Sequence, residues 1–214
     1  MSLKLVANNK QTNIDNFTIE LPETSLKLDT IHLEYDSLKA FDRYTEQVHF
    51  SFRTLPSQVT LKDISPFVPI LSHFKEPVTL DMEVKGTVDQ LTCSHLEITA
   101  DDRQFRLSGD VSLQELSSPQ DAYVYGKLSE LSANNRGVGF LVRNLSSNYN
   151  GVPPLLERLG DIDFRGEISG YFTDLVTYGQ LRTGLGNVKT DLRLRGCLLI
   201  PVLSKQKSLN WASY

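Results

Sequence analysis

Cysteine is nearly missing from this chain: Cys93 and Cys197 are the only two in 214 residues, far apart and in unlike contexts. They make neither a disulfide framework nor a zinc spacing. Positive charge of the kind that binds phosphate backbones is missing too. The formal net charge is −4, and the lysines and arginines are dispersed among acids, which argues against nucleic-acid binding. Long apolar runs are absent: no window approaches the roughly 18 apolar residues of a membrane span, and the opening Met1-Ser-Leu-Lys-Leu-Val-Ala7 is too short for a secretory leader. Taken literally the chain is cytoplasmic; taken as an internal piece of a longer protein, its compartment is open.

Constellations for chemistry are equally scarce. The four histidines, His32, His49, His73 and His95, fall on different elements, and no His-x-x-x-His or Cys-x-x-Cys spacing brings ligands together. Solvated polar positions explain them better than a metal site, and no cofactor is expected. Paired acids occur as Asp101-Asp102 in a turn and as Asp161 with Asp163 on a polar strand face. A glycosidase needs two carboxylates facing across a cleft, and nothing in the spacing suggests that. Gly137-Val-Gly139 and Gly184-Leu-Gly186 lack the third glycine and the lysine of a phosphate loop, so turn glycines explain them better. Asn16-Phe-Thr18 and Asn144-Leu-Ser146 match a glycosylation acceptor, which matters only in a eukaryotic secretory setting. The chain is not expected to be an enzyme.

What is abundant is alternation. Val78, Leu80, Met82, Val84, Gly86 and Val88 fall on one side, and Thr79, Asp81, Glu83, Lys85 and Thr87 on the other. Strand side chains alternate faces with period two, so this is a strand with one apolar and one wetted face. The phrase returns as Phe105, Leu107, Gly109, Val111, Leu113; as Ala122, Val124, Gly126, Leu128; as Ile162, Phe164, Gly166, Ile168, Gly170, Phe172; and as Val188, Leu192, Leu194. Phe17-Ile19-Leu21 and Val48-Phe50-Phe52 behave alike, and a phase slip between Leu28 and Ile31 predicts a bulge or a strand change. The inward glycines are explained by curvature, or by room left for an acyl chain.

Two segments break the rhythm. Ile64, Phe67, Ile70, Leu71 and Phe74 recur at three and four residue steps, with Asp63 or Ser65 as a cap and Pro66 at the first helical position, which predicts a short helix. Val152 to Gly160 predicts another, with Leu155, Leu156 and Leu159 on one face and Gly160 as the stop. Ala100–Arg103, Ser117–Gln120, Ser132–Arg136 and Asn144–Asn148 have turn compositions. The glycine phrases lie 23, 17 and 44 residues apart, from Gly86 to Gly109, Gly126 and Gly170. That irregularity disfavours a β-helix or propeller. The expected fold is all-β: a long, curved, mainly antiparallel sheet curled into an open groove, with two short helical inserts. Residues 1–196 form it, and 197–214 are an atypical tail where the period stops, as if a longer sheet were cut.

The stretch Leu159-Gly160-Asp-Ile-Asp-Phe-Arg-Gly166-Glu-Ile-Ser-Gly170-Tyr-Phe-Thr-Asp174-Leu175, followed by Tyr178-Gly179 and Thr190-Asp191-Leu192, resembles the repeat region of AsmA-like proteins. The nearest type is the TamB-type translocation and assembly proteins of Bacteroidetes-like bacteria. Pro77–Leu91 and Leu107–Leu113 look like the same unit, and the likeness covers most of residues 15–195. It implies an internal fragment of a periplasmic protein that an inner-membrane helix anchors and whose curled sheet spans the periplasm. The implied roles are phospholipid transport along an apolar trough and outer-membrane protein assembly. The implied partners are phospholipid acyl chains and, through regions missing here, outer-membrane assembly proteins. The lipid-contacting candidates are Val78, Leu80, Met82, Val84 and Val88; Phe105, Leu107, Val111 and Leu113; Val124 and Leu128; Ile162, Phe164, Ile168 and Phe172; and Leu192 and Leu194. The alternative is a closed β-sandwich or barrel that recognises carbohydrate or protein through loop aromatics such as Tyr149 or Tyr178; a glycan-active enzyme ranks below both.

Overall fold

The computed structural model describes residues 4–21, 23–65, 69–100, 103–118, 121–145, 150–172 and 174–195. The tail 197–214 with Cys197, the Asp101-Asp102 pair, Pro66, Phe67 and Tyr149 lie outside these residues, as do the side chains of Ile64, Ile70, Leu155 and Leu194.

Twelve strands form one sheet: β1 (Lys4–Ala7), β2 (Gln11–Leu21), β3 (Thr24–Glu34), β4 (His49–Thr54), β5 (Ser57–Thr60), β6 (Pro77–Gly86), β7 (Gln90–Ala100), β8 (Phe105–Gln114), β9 (Tyr123–Ala133), β10 (Ile162–Tyr171), β11 (Asp174–Thr183) and β12 (Gly186–Arg195). Neighbours follow chain order, except that the short β5 lies beside β3 and β6 while β4 pairs with both β3 and β6. The strands β1 and β12 stand at opposite ends of this order. The sheet therefore curves without closing, as the alternation predicts, and the closed sandwich or barrel is not what forms.

Register makes the apolar face continuous. Leu5, Ile14, Ile31, Phe52, Val84, Cys93, Val111, Gly126, Ile168, Thr177 and Leu192 are successive cross-strand partners, one from each strand on the main path. At about 4.8 Å per strand, this row runs for about 50 Å along the sheet. The opposite face carries the charge. Lys85 pairs with Glu83 at 2.6 Å, Arg106 with Glu97 at 3.1 Å, and Arg193 with Asp174. Solvent screens such exposed pairs, so they define a wetted surface more than they stabilise it.

Bulges line up across the sheet. The ladder shifts between Leu28 and Ile31, between Asp81 and Glu83, between Cys93 and Leu96, between Ser108 and Gly109, and between Phe164 and Gly166. The first is the bulge that the phase slip predicts. Bulges sharpen bending and leave backbone groups unpaired. Here Thr54, fully buried, accepts from the Met82 amide at 2.8 Å, and Asp110 accepts from the His95 amide at 3.2 Å. The aligned bulges form a transverse crease that divides each central strand into two halves.

One half is capped. The core there joins Val59, Leu61, Phe74, Val78, Leu80, Ala100, Phe105 and Ala133 to Val138 and Phe140 of the helix α2 (Asn135–Leu145). A four-residue α1 (Tyr44–Gln47) continues a 3-10 turn at Leu38–Arg43, and α3 is Pro154–Leu159. The second predicted insert is thus a helix, closed at Gly160 as expected. The first is two 3-10 turns, Leu61–Ile64 and Pro69–His73, in place of one helix.

Helix α2 corrects the sequence reading, which assigns Ser132–Arg136 and Asn144–Asn148 to turns and Gly137 and Gly139 to turn glycines. Asn134 caps it, its Oδ1 accepting from the amides of Arg136 and Gly137 at 3.0 Å. A Cβ on Gly137 would lie 1.8 Å from the Gln104 carbonyl oxygen, so this glycine lets the helix press against the chain entering β8. Phe140, 1% exposed, packs edge-on against Phe74 and stacks near Phe105. Burying such a ring contributes about 1.5–3 kcal/mol. Asn144 fastens the helix end: its Oδ1 accepts from the Lys75 and Glu76 amides at 3.0 and 3.1 Å, and its Nδ2 donates to Glu76 and to the Phe140 carbonyl. Buried and fully bonded, Asn144 is closed as a glycosylation acceptor.

Candidate functional site: the open half of the apolar face

The inward residues of the repeated phrases share one face but not one environment. Val78, Leu80 and Phe105 are buried beneath α2 and the 3-10 turns, and Met82, Leu107 and Ile162 pack against that core. Val78, Leu80 and Phe105 thus belong to a packed interior, while Met82, Leu107 and Ile162 are half-buried at its margin. Val88 also departs from the reading, because β6 ends at Gly86. The next residues make a tight turn in which Thr87 donates its amide to the Gln90 carbonyl and accepts the Gln90 amide on its hydroxyl. Thr87 is buried in that turn and does not sit on a wetted strand face. Phe172, likewise past the end of β10, is buried.

Leu128 and Phe164 occupy the crease. Leu128 is the cross-strand partner of both Gly109 and Gly166, and Gly166 faces Gly179. The glycines do not leave an open channel there: a Cβ on Gly166 would lie 2.1 Å from the Tyr178 carbonyl oxygen, and the Phe164 ring already covers Gly179. Close backbone approach, hence curvature, accounts for them. At Gly86 (φ +132) the same holds, with the Gln90 carbonyl 2.0 Å from an added Cβ.

Beyond the crease lie Val84, Val111, Leu113, Val124, Ile168 and Leu192. None of them belongs to the core that α2 joins. Val84 is 2% exposed, sealed by its neighbours, whereas Val111, Leu113, Val124, Ile168 and Leu192 are half-buried. The sequence candidates omitted Phe50 and Phe52. Both lie on this face, opposite Gly86 and Val84, with rings stacked 5.9 Å apart. Their alternation was visible, but only the pairing of β4 with β6 joins them to the lining.

Cys93 sits in the same row, buried, its thiol pushed up to about 12 by burial and then by the Asp110 charge. It packs as a small apolar residue and not as a nucleophile. His32 bonds Asn13 and Glu34 on the wetted face, and His95 lies at a bulge with φ +53. Among the described residues no group of three or more His, Cys, Asp or Glu could hold a metal ion. Tyr178 is exposed on the outer face of β11, between Glu167 and Asp191, and Tyr123 packs edge-on against Tyr171 on the two preceding strands. No helix of the described residues is long and apolar enough to cross a membrane.

The architecture defines a class: an open antiparallel β-sheet whose inner face carries a large core beneath α2 on one half and, on the other, half-buried aliphatic residues beside a small cluster of Leu33, Tyr35, Ala40 and Val48. No family model matches the chain, and neither a curated protein nor a solved structure is significantly similar to it.

Proposed function

We propose that the chain is a non-enzymatic section of an apolar trough in the bacterial cell envelope. Phospholipid acyl chains would lie along the open half of its inner face, and a role in outer-membrane protein assembly would follow from the same scaffold in a longer protein. This reading assigns the chain to the periplasm, as part of a protein held by an inner-membrane anchor. The resemblance to AsmA-like and TamB-type proteins supports it.

The observation that carries the reading is the set of half-buried aliphatic residues Val111, Leu113, Val124, Ile168 and Leu192, which share the inner face and lie outside the core beneath α2. Forgoing burial of an aliphatic side chain costs about 1.5–3 kcal/mol. Several such residues in one row are accounted for by an apolar occupant, and an acyl chain needs no directional contacts there. Mass spectrometry of lipid retained by the purified chain tests this. Phospholipid is expected in the native protein and should fall about fivefold or more in Ile168→Asp, which places a charge in the bare row. Gln180→Asp, on the outer face between Arg165 and Lys189, should retain it fully. Equal retention in two folded variants overturns the assignment.

A further inference from the structure

All the tyrosines that the strands contain, Tyr123, Tyr125, Tyr171 and Tyr178, belong to the adjacent strands β9, β10 and β11. Each adjoins an inward residue, Val124, Gly126, Gly170 or Thr177, and so stands on the outer face. Elsewhere that face is without such rings: β6, β7 and β12 hold no Phe, Tyr or Trp, Phe105 of β8 is buried in the core, and Phe50 and Phe52 of β4 lie inward. Strand propensity alone would scatter tyrosines over the sheet. Their confinement to one patch has another cause.

Pairing between Gly166 and Tyr171 is unbroken on both sides of β10, so register fixes where each ring is rooted. Tyr123 lies directly opposite Tyr171, their rings edge-on at 5.4 Å, while Tyr125 faces Ser169 and Tyr178 faces Glu167. Measured along the strands, Tyr125 stands two residues beyond the Tyr123 and Tyr171 pair and Tyr178 stands four. The tyrosines therefore mark a track about 14 Å long and about 10 Å wide. Tyr125, Tyr171 and Tyr178 are 42, 51 and 53% exposed. Between them lie Ser169, Lys127 and Glu167, and Val176 is the one aliphatic residue on this part of the outer face of the three strands.

The track selects among ligands by size, charge and chemistry. Its footprint of about 140 Å² is several times smaller than the roughly 800 Å² that each partner gives to a stable protein interface. A nucleic-acid strand stacked on the rings would need a basic groove beneath its phosphates, but Lys127 lies between Asp110 and Glu167, and Arg193 pairs with Asp174. A neutral sugar chain meets neither obstacle. The C–H groups on a sugar's face carry partial positive charge and stack on the negative face of a tyrosine ring, while its hydroxyls exchange hydrogen bonds with serine, lysine and carboxylate groups. Rings rooted on a regular ladder suit a chain that runs straight, and equatorial β-linkages, as in cellulose and chitin, keep a glycan extended where α-linkages coil it. We propose that the outer face of β9 to β11 binds an extended β-linked glycan strand, its sugars stacked on Tyr125, Tyr171 and Tyr178. The inference stands apart from the trough, which occupies the opposite face.

The test is calorimetric titration of the full chain with cellohexaose, chitohexaose and the α-linked maltohexaose as separate probes. Saturable binding of cellohexaose or chitohexaose is expected, with a Kd of about 1 mM or tighter and at least about fivefold below that for maltohexaose. Tyr125→Ala and Tyr178→Ala should each weaken it about fivefold or more, as loss of a stacking ring does. Tyr178→Phe keeps the ring, and Tyr44→Ala removes a comparably exposed tyrosine from α1; both should stay within about twofold of the native chain. All four variants change exposed side chains, and circular dichroism checks their fold. No saturation by either β-linked probe up to about 3 mM, equal affinity for maltohexaose, or losses in Tyr125→Ala and Tyr178→Ala no larger than in Tyr44→Ala overturns the proposal. Sedimentation velocity on the same samples guards against a protein occupant: self-association of the native chain that Tyr178→Ala abolishes would assign the face to a second copy and overturn the glycan site.

Discussion

At the scale of single residues, glycines on the inner face differ sharply in what they permit. Gly86 has φ +132 and the Gln90 carbonyl oxygen 2.0 Å from where a Cβ would stand, whereas a Cβ on Gly126 would meet nothing nearer than Val111 Cγ2 at 3.6 Å. Gly86→Ala is therefore expected to lose about 2 kcal/mol or more through strain and backbone displacement. Gly126→Ala should change stability by less than about 1 kcal/mol, since the alanine fits and loses less chain entropy on folding. Urea unfolding of both variants decides, and similar losses would show that the bend at Gly86 is not held by this contact. The alternation showed that both glycines point inward. It could not separate them, because the difference depends on which carbonyl the ladder brings alongside.

At the scale of elements, α2 depends on a polar lock at its far end. Arg143 donates to both oxygens of Glu76, at 2.9 and 3.2 Å, and holds that carboxyl below its ordinary value of 4.5. A carboxyl with a lowered folded pKa stabilises the fold above the unfolded value and loses that contribution as pH falls through the folded one. Glu76 is more than a third exposed, so solvent screening limits the effect to less than about 1 kcal/mol. Glu76→Gln should thus lower the urea midpoint slightly at pH 7, with the gap from the native chain narrowing as pH falls below the carboxyl's ordinary value of 4.5. A gap that did not narrow with falling pH would locate the effect elsewhere. The helix itself was illegible in the sequence for a physical reason. Gly137 and Gly139 lower helix propensity, and what requires the first of them is Gln104, which reaches it only through the tertiary fold. By contrast, α3 carried its own proline start and glycine stop, and the phase slip at Leu28 and Ile31 announced its bulge locally.

At the scale of the whole molecule, the inward face was readable because period two is a local property, while its division into capped and bare halves was not. The six residues in or against the core beneath α2 obey the same alternation as those outside it; only the packing of α2 and the 3-10 turns distinguishes them. The strand order, almost wholly sequential, has a consequence for how the chain comes apart. Each hairpin closes on its immediate neighbour, so cooperativity spreads along the sheet as in a one-dimensional array and need not embrace it at once. Native-state hydrogen exchange should find the slowest amides in β6 to β9, beneath α2, and progressively faster ones toward β1 and β12; a single common opening energy across all strands would refute this. The trough would then fray from its two flanks inward, keeping a folded keel while its margins open.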